Sequence, residues 1–184
     1  MMDVTARMRF TLLLSGAVLL CAVSGCSMAF PVYSASGRNV EALRGLPKNV
    51  KLGQFVGDEK SVSCRLQPIS PEGGGTFASY IRNAFNEDII MAGGRPNATQ
   101  VELGGTLKNI DVDCGIISAS RIIEMDLNVG NQPPFTVKTV YSFDGNYFGA
   151  VVFSRAYTAF VPAIQRFVND VVKHASFQAA ARGR

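Results

Sequence analysis

Between residues 101 and 143 the chain holds three successive stretches in which apolar residues return at every second position. On either side of that block they return every three or four. Period two alternates side chains between the faces of a strand, and period 3.6 gathers them on one stripe of a helix. Val101, Leu103, Gly105 and Leu107 begin the first strand; the phase then slips to Ile110, Val112 and Cys114. One extra residue near Lys108-Asn109 restores the facing, which predicts a β-bulge. The second strand carries Ile123, Met125, Leu127 and Val129 inward, and Glu124, Asp126 and Asn128 outward. After the turn Asn131-Gln132-Pro133-Pro134, the third carries Phe135, Val137, Thr139, Tyr141 and Phe143 inward. The turn is read as setting Lys138 beside Asp126.

The flanking helices follow from the same arithmetic. Thr76 is a candidate N-cap for a helix from Phe77 to Ala92, with Phe77, Ile81, Ala84, Phe85, Ile89 and Ala92 on one stripe and Gly93-Gly94 to end it. A second helix is expected from near Thr158 to Phe177, on the stripe Phe160, Ile164, Phe167, Val168, Val171 and Val172. Val50, Leu52 and Val56 mark a first strand over residues 49–56, with a short extension over 61–66. The order is β-α-β-β-β-α. Strands with one apolar face need cover on one side only. The expected fold is therefore an α+β two-layer sandwich, a mainly antiparallel sheet with two helices on one face. Residues 49–178 are assigned to this single domain and 179–184 to a frayed tail.

The N-terminus sets the compartment. Arg7 and Arg9 precede an apolar run over residues 10–23, shorter than the roughly 20 residues that span a bilayer. Val23-Ser24-Gly25-Cys26 follows. This signal and tetrad resemble the lipobox of bacterial lipoproteins. The resemblance implies that residues 1–25 are a signal peptide and that Cys26 is the lipidated first residue of the mature chain. Ser27, where that family uses aspartate for inner-membrane retention, implies the outer membrane, periplasmic side. The alternative is an ordinary secreted protein with a cysteine at its cleavage site. Residues 26–48 are read as the lipidated cysteine and a tether.

Charge excludes some partners. The net charge is +4, and the basic residues are scattered singly without aromatic interleaving, so nucleic acid is not expected. Once Cys21 leaves with the signal and Cys26 takes lipid, Cys64 and Cys114 remain. In an oxidising compartment they are expected to form a disulfide; two separate buried thiols are the alternative.

No constellation for chemistry emerges. His174 is the only histidine, and no nucleophile elbow accompanies it. Too few ligands exist for zinc, and no cofactor or metal is expected. Gly73-Gly74-Gly75-Thr76 lacks the lysine of a phosphate loop. Asp111 and Asp113, with Glu124 or Asp126, are an acidic set of glycosidase type, read mainly as charges on a solvated face.

The helix closed by Ala92-Gly93, the strand Val101-Glu102-Leu103-Gly104-Gly105-Thr106-Leu107, the strand ending Tyr141-Ser142-Phe143 and the last helix together resemble YajG-type lipoproteins. In element order they are also similar to the LptE group of lipopolysaccharide-assembly lipoproteins. Anchored by lipid and bare of catalytic groups, the chain is expected to be a non-enzymatic outer-membrane lipoprotein that binds another envelope component as a scaffold or accessory subunit. Alternatives are a lipid or lipopolysaccharide carrier and a peptidoglycan-active enzyme. The expected contact is the aromatic stretch 146–153, with Tyr147, Phe148 and Phe153; the competing expectation folds this stretch under the second helix.

Overall fold

A computed structural model describes residues 28–29, 31–46, 49–71, 74–93 and 99–183. The chain order is β1 (Met28–Ala29), α1 (Gly37–Arg44), β2 (Asn49–Val56), β3 (Val62–Cys64), β4 (Gln67–Ser70), α2 (Phe77–Ala92), β5 (Gln100–Asp113), β6 (Ser118–Val129), β7 (Phe135–Asp144), α3 (Gly149–Thr158), α4 (Phe160–Lys173) and α5 (Ala175–Arg182). The fold is α+β. A four-stranded sheet runs β2-β5-β6-β7, with β2 parallel to β5 and the other pairs antiparallel. A second, small sheet of order β1-β4-β3 packs beside it, with Val62, Cys64 and Ile69 in the same core.

The long strands follow their period. Val101, Leu103, Leu107, Ile110 and Val112 of β5 are buried, with a register shift between Leu107 and Asn109 where the phase slip requires a bulge. Ile123, Met125, Leu127 and Val129 of β6 face the same core. α2 covers it with Phe77, Ile81, Ala84 and Phe85, and α4 with Phe160, Ile164, Phe167, Val168, Val171 and Val172. Thr76 caps α2, its hydroxyl accepting from the Ser79 N–H at 3.2 Å. Gly93 closes it at φ 76°. The outer sheet face carries charges at its surface: Lys108 pairs with Asp126 at 3.5 Å and Lys138 with Glu124 at 3.3 Å. The expected Lys138–Asp126 neighbours are thus two residues out of register. Leu127 meets Phe135 across a tighter turn, so Lys138 falls opposite Glu124 and Asp126 opposite Thr136. A slip of two keeps every side chain on its face. The Thr136 hydroxyl donates 2.6 Å to Asp126 and, with the Lys108 charge, holds that carboxyl below its usual range.

Three boundaries differ from expectation. Residues 31–46, assigned to the tether, are packed onto the domain through α1. Tyr33, Asn39, Leu43 and Leu46 are buried. The carboxylate of buried Asp88 on α2 is the reason: it accepts from the Tyr33 hydroxyl at 2.8 Å, from Asn39 Nδ2 at 2.9 Å and from the Ser36 N–H at 2.9 Å. Asn169 of α4 donates in turn to Asn39 Oδ1 at 3.0 Å. Burial first, and the Asp88 charge next, push the Tyr33 hydroxyl far above its ordinary range. Secondly, the expected aromatic loop is short, because a helix, α3, begins at Gly149. Arg121 of β6, 1% exposed, reaches under its last turn and donates twice to the Ala156 carbonyl, at 3.0 and 2.6 Å. Burial pushes this guanidinium down to about 9, which leaves it charged at neutral pH. Thirdly, residues 179–182 are not a frayed tail. They complete α5, with Ala180 and Ala181 buried and Gly183 in the left-handed region as its C-cap. His174 separates α4 from α5, accepting from the Ser176 N–H at Nδ1 and stacking on Phe135 at 4.1 Å. Among the described residues no helix is long and apolar enough to cross a membrane.

Candidate functional site

Three connections meet at one end of the main sheet: the β3–β4 turn, the β5–β6 turn and the segment from β7 to α3. Cys64 and Cys114 join the first two through a disulfide with Cα atoms 5.6 Å apart. Arg65 then ties all three. Its guanidinium donates to the carbonyls of Cys114 at 3.0 Å, Asn146 at 2.7 Å and Tyr147 at 2.8 Å. The planar fork of arginine suits this divergent set of acceptors. The remaining loops close on each other: the Gly145 N–H donates to the Ile117 carbonyl and the Asn146 N–H to the Gly115 carbonyl. Gly145 has to be glycine, since a Cβ there would lie 2.6 Å from the Gly115 oxygen.

The outer surface of this assembly carries large apolar side chains. Leu66 is 96% exposed, Ile117 91%, Tyr147 75% and Phe148 69%, with Ile116 also open to solvent. The Tyr147 and Phe148 rings pack edge to face at 5.8 Å. Large side chains exposed together on held loops mark interaction surfaces. The turn under Leu66 is also strained. Arg65 and Leu66 sit at φ 47° and 71°, the pair of left-handed residues that two-residue hairpins take, ordinarily filled by Asn-Gly. A β-carbon in that region costs roughly 1–2 kcal/mol. Leucine is kept where glycine would fit without cost, and it gains no packing there.

Of the residues singled out in the sequence, Cys64 and Cys114 are joined, and Tyr147 and Phe148 stand open at the tip. Phe153 does not join them. It lies on α3, half-buried against the core. The stretch 146–153 therefore divides between the two expectations: Tyr147 and Phe148 are exposed, whereas Val152 and Phe153 turn into the core and Ala150 and Val151 stay at the surface. Cys26 and residues 1–25 lie outside the described residues, as does Gly73. Asp111 and Asp113 stand exposed on the outer sheet face. Glu124 and Asp126, their suggested partners, are committed to Lys138 and Lys108. Among the described residues no cluster of three or more His, Cys, Asp or Glu is placed to hold a metal. Leu66, Ile117 and Arg65 were not found in the sequence. The doublet Ile116-Ile117 beside Gly115 was the available signal, an apolar pair set in a turn. Arg65 and Leu66 gave none, because their turn lacks the usual turn residues.

Compared with known protein families, curated proteins and solved structures, the chain matches none. What the tip does has to be argued from its own residues.

Proposed function

We propose that this chain is a bacterial outer-membrane lipoprotein, acylated at Cys26, whose periplasmic domain works by binding another envelope component and not by catalysis. One observation carries the binding role: Leu66, Ile117, Tyr147 and Phe148, from three separate connections, are exposed together and fixed in place by a disulfide and by Arg65. A surface that is apolar, exposed and rigid costs little entropy to dock, because its ordering is already done within the fold. The lipobox supports the anchor, since diacylation is enough for stable membrane residence.

The double variant Tyr147→Ala, Phe148→Ala tests the reading in cells. It is expected to fold, to be labelled by a palmitate analogue as the parent chain is, and to lose the component that co-purifies from solubilised envelopes. Unchanged co-purification would remove the tip from the binding role. Normal palmitate labelling of a Cys26→Ala chain would remove the anchor, and a turnover reaction abolished by Asp111→Ala or Asp113→Ala would replace binding with catalysis.

A further inference from the structure

The direction of β1 says what the tip faces. β1 runs parallel to β4, with Met28 opposite Ile69 and Ala29 opposite Ser70. β4 starts at Gln67, immediately after Leu66, so both strands run away from the tip and β1 turns its N-terminal end towards it. Cys26 precedes Met28 by two residues, a length of chain that spans at most about 7 Å. The end of β1 that lies within that reach of Cys26 is therefore its tip end, while the 130–134 turn and the start of β5 lie at the opposite end of the main sheet.

We propose that the tip is a second membrane contact: Leu66, Ile117, Tyr147 and Phe148 enter the surface of the same bilayer that receives the lipid of Cys26. The inference rests on the reading of Cys26 as acylated and names the envelope component as lipid. Three features fit a bilayer. The exposed set combines aliphatic side chains with a tyrosine and a phenylalanine; tyrosine sits at headgroup level in membranes, with its ring in the apolar layer and its hydroxyl in the wet one. Several backbone groups of the tip are satisfied from within. Arg65 covers the Cys114, Asn146 and Tyr147 carbonyls, the Ile117 and Gly115 carbonyls accept from residues 145 and 146, and the Phe148 N–H donates to Asn146 Oδ1. Such groups are expensive to bring into lipid unless they are already paired. Depth is limited by Asp113 and by Asp144, which pairs with Ser118 one residue behind Ile117. These exposed carboxylates keep the strands in water and make the entry shallow. The strained Leu66 then has a use, for an apolar group held outward at the outermost turn meets acyl chains first.

The chain has no tryptophan, so a single introduced one reports its own surroundings. Phe148→Trp and Ile117→Trp place it at the tip. Met91→Trp, at the far end of α2, and Val140→Trp, on the outer sheet face, place it at exposed positions elsewhere. Each purified lipidated chain, its acylation read from intact mass and its fold from circular dichroism, is reconstituted into phosphatidylethanolamine–phosphatidylglycerol vesicles with or without lipid brominated along the acyl chains. Insertion of about 5–10 Å is expected to cost the tip tryptophans at least about half their emission in brominated vesicles, and to leave the Met91 and Val140 reporters nearly unchanged. An acylated chain whose tip reporters are not quenched overturns the membrane contact and leaves the anchor standing. A mass without acyl groups removes both. Equal quenching at all four positions means no defined orientation and also overturns the proposal. So does tip emission that shifts to the blue with protein concentration without bromine quenching, which would seat a second copy on the tip.

Discussion

At the Asp88 clasp polar groups sit inside the protein, and at the tip apolar groups sit outside it. Each is an exception to the usual partition, and each is held differently. The clasp is held by hydrogen bonds that converge on one buried carboxylate from residues 33, 36 and 39. Every donor there faces an acceptor, so burial costs little. The tip is held from behind, by the Cys64–Cys114 bond and the Arg65 fork, while its outward side chains touch little of the protein. Satisfied polar groups explain why the clasp is stable. Among the described residues the tip side chains gain little packing from being apolar, and the proposed binding role is what would account for them.

Substitutions can break this contrast. The largest effect is expected from opening the disulfide. With the cysteines 50 positions apart, Cys64→Ser with Cys114→Ser should cost about 4 kcal/mol on the chain-entropy account. Urea unfolding measures it, and amide exchange should show the tip loops opening before the clasp. Asp88→Ala comes next. It strands the Tyr33 hydroxyl and takes one of two acceptors from the Asn39 amide, which keeps the Gln165 carbonyl, and should cost about 3 kcal/mol, with new protease cuts confined to residues 31–46. If those residues stay protected, the clasp is not what holds them.

Leu66→Gly should act in the opposite direction. The side chain is almost fully exposed, so no packing is lost, and relief of the left-handed strain should add about 1 kcal/mol of stability. Membrane or partner binding should fall in the same variant. Stability and binding that rise together would show that Leu66 has no outward role. The smallest change is expected on the outer sheet face. Lys138→Ala removes an exposed pair with Glu124 worth about 0.2–1 kcal/mol, and thermal melting should barely register it. A loss of several degrees would mean that this face is covered in solution.

The parts legible in the sequence were those set by neighbours along the chain. α2 announces itself through its stripe, its Thr76 cap and its Gly93 stop, and the β5 bulge through a phase slip in the alternation. The parts that escaped depend on distant partners. α1 has only eight residues and a polar character; it is a helix because Asp88, 49 residues after Asn39, fixes it. Ala150-Val151-Val152-Phe153 reads as part of an aromatic loop, yet it is helical, with Val152 and Ala156 in the core and Arg121 holding the Ala156 carbonyl from 35 residues away. The site followed the same rule: Tyr147 and Phe148 are neighbours and were found together, whereas Leu66 and Ile117 join them only through tertiary structure.

The parallel pairing of β2 with β5 has a consequence for how the molecule assembles. β5, β6 and β7 are joined by short turns and can zip in sequence, whereas Asn49 meets Gln100 only after the intervening hairpin and α2 have been laid across the sheet. Contacts that far apart in the chain are slow to form. β2 is therefore expected to dock last, and until it does the open edge of β5 is a template for the equivalent strand of another molecule. Strand exchange between nascent copies is the characteristic misassembly of such an edge.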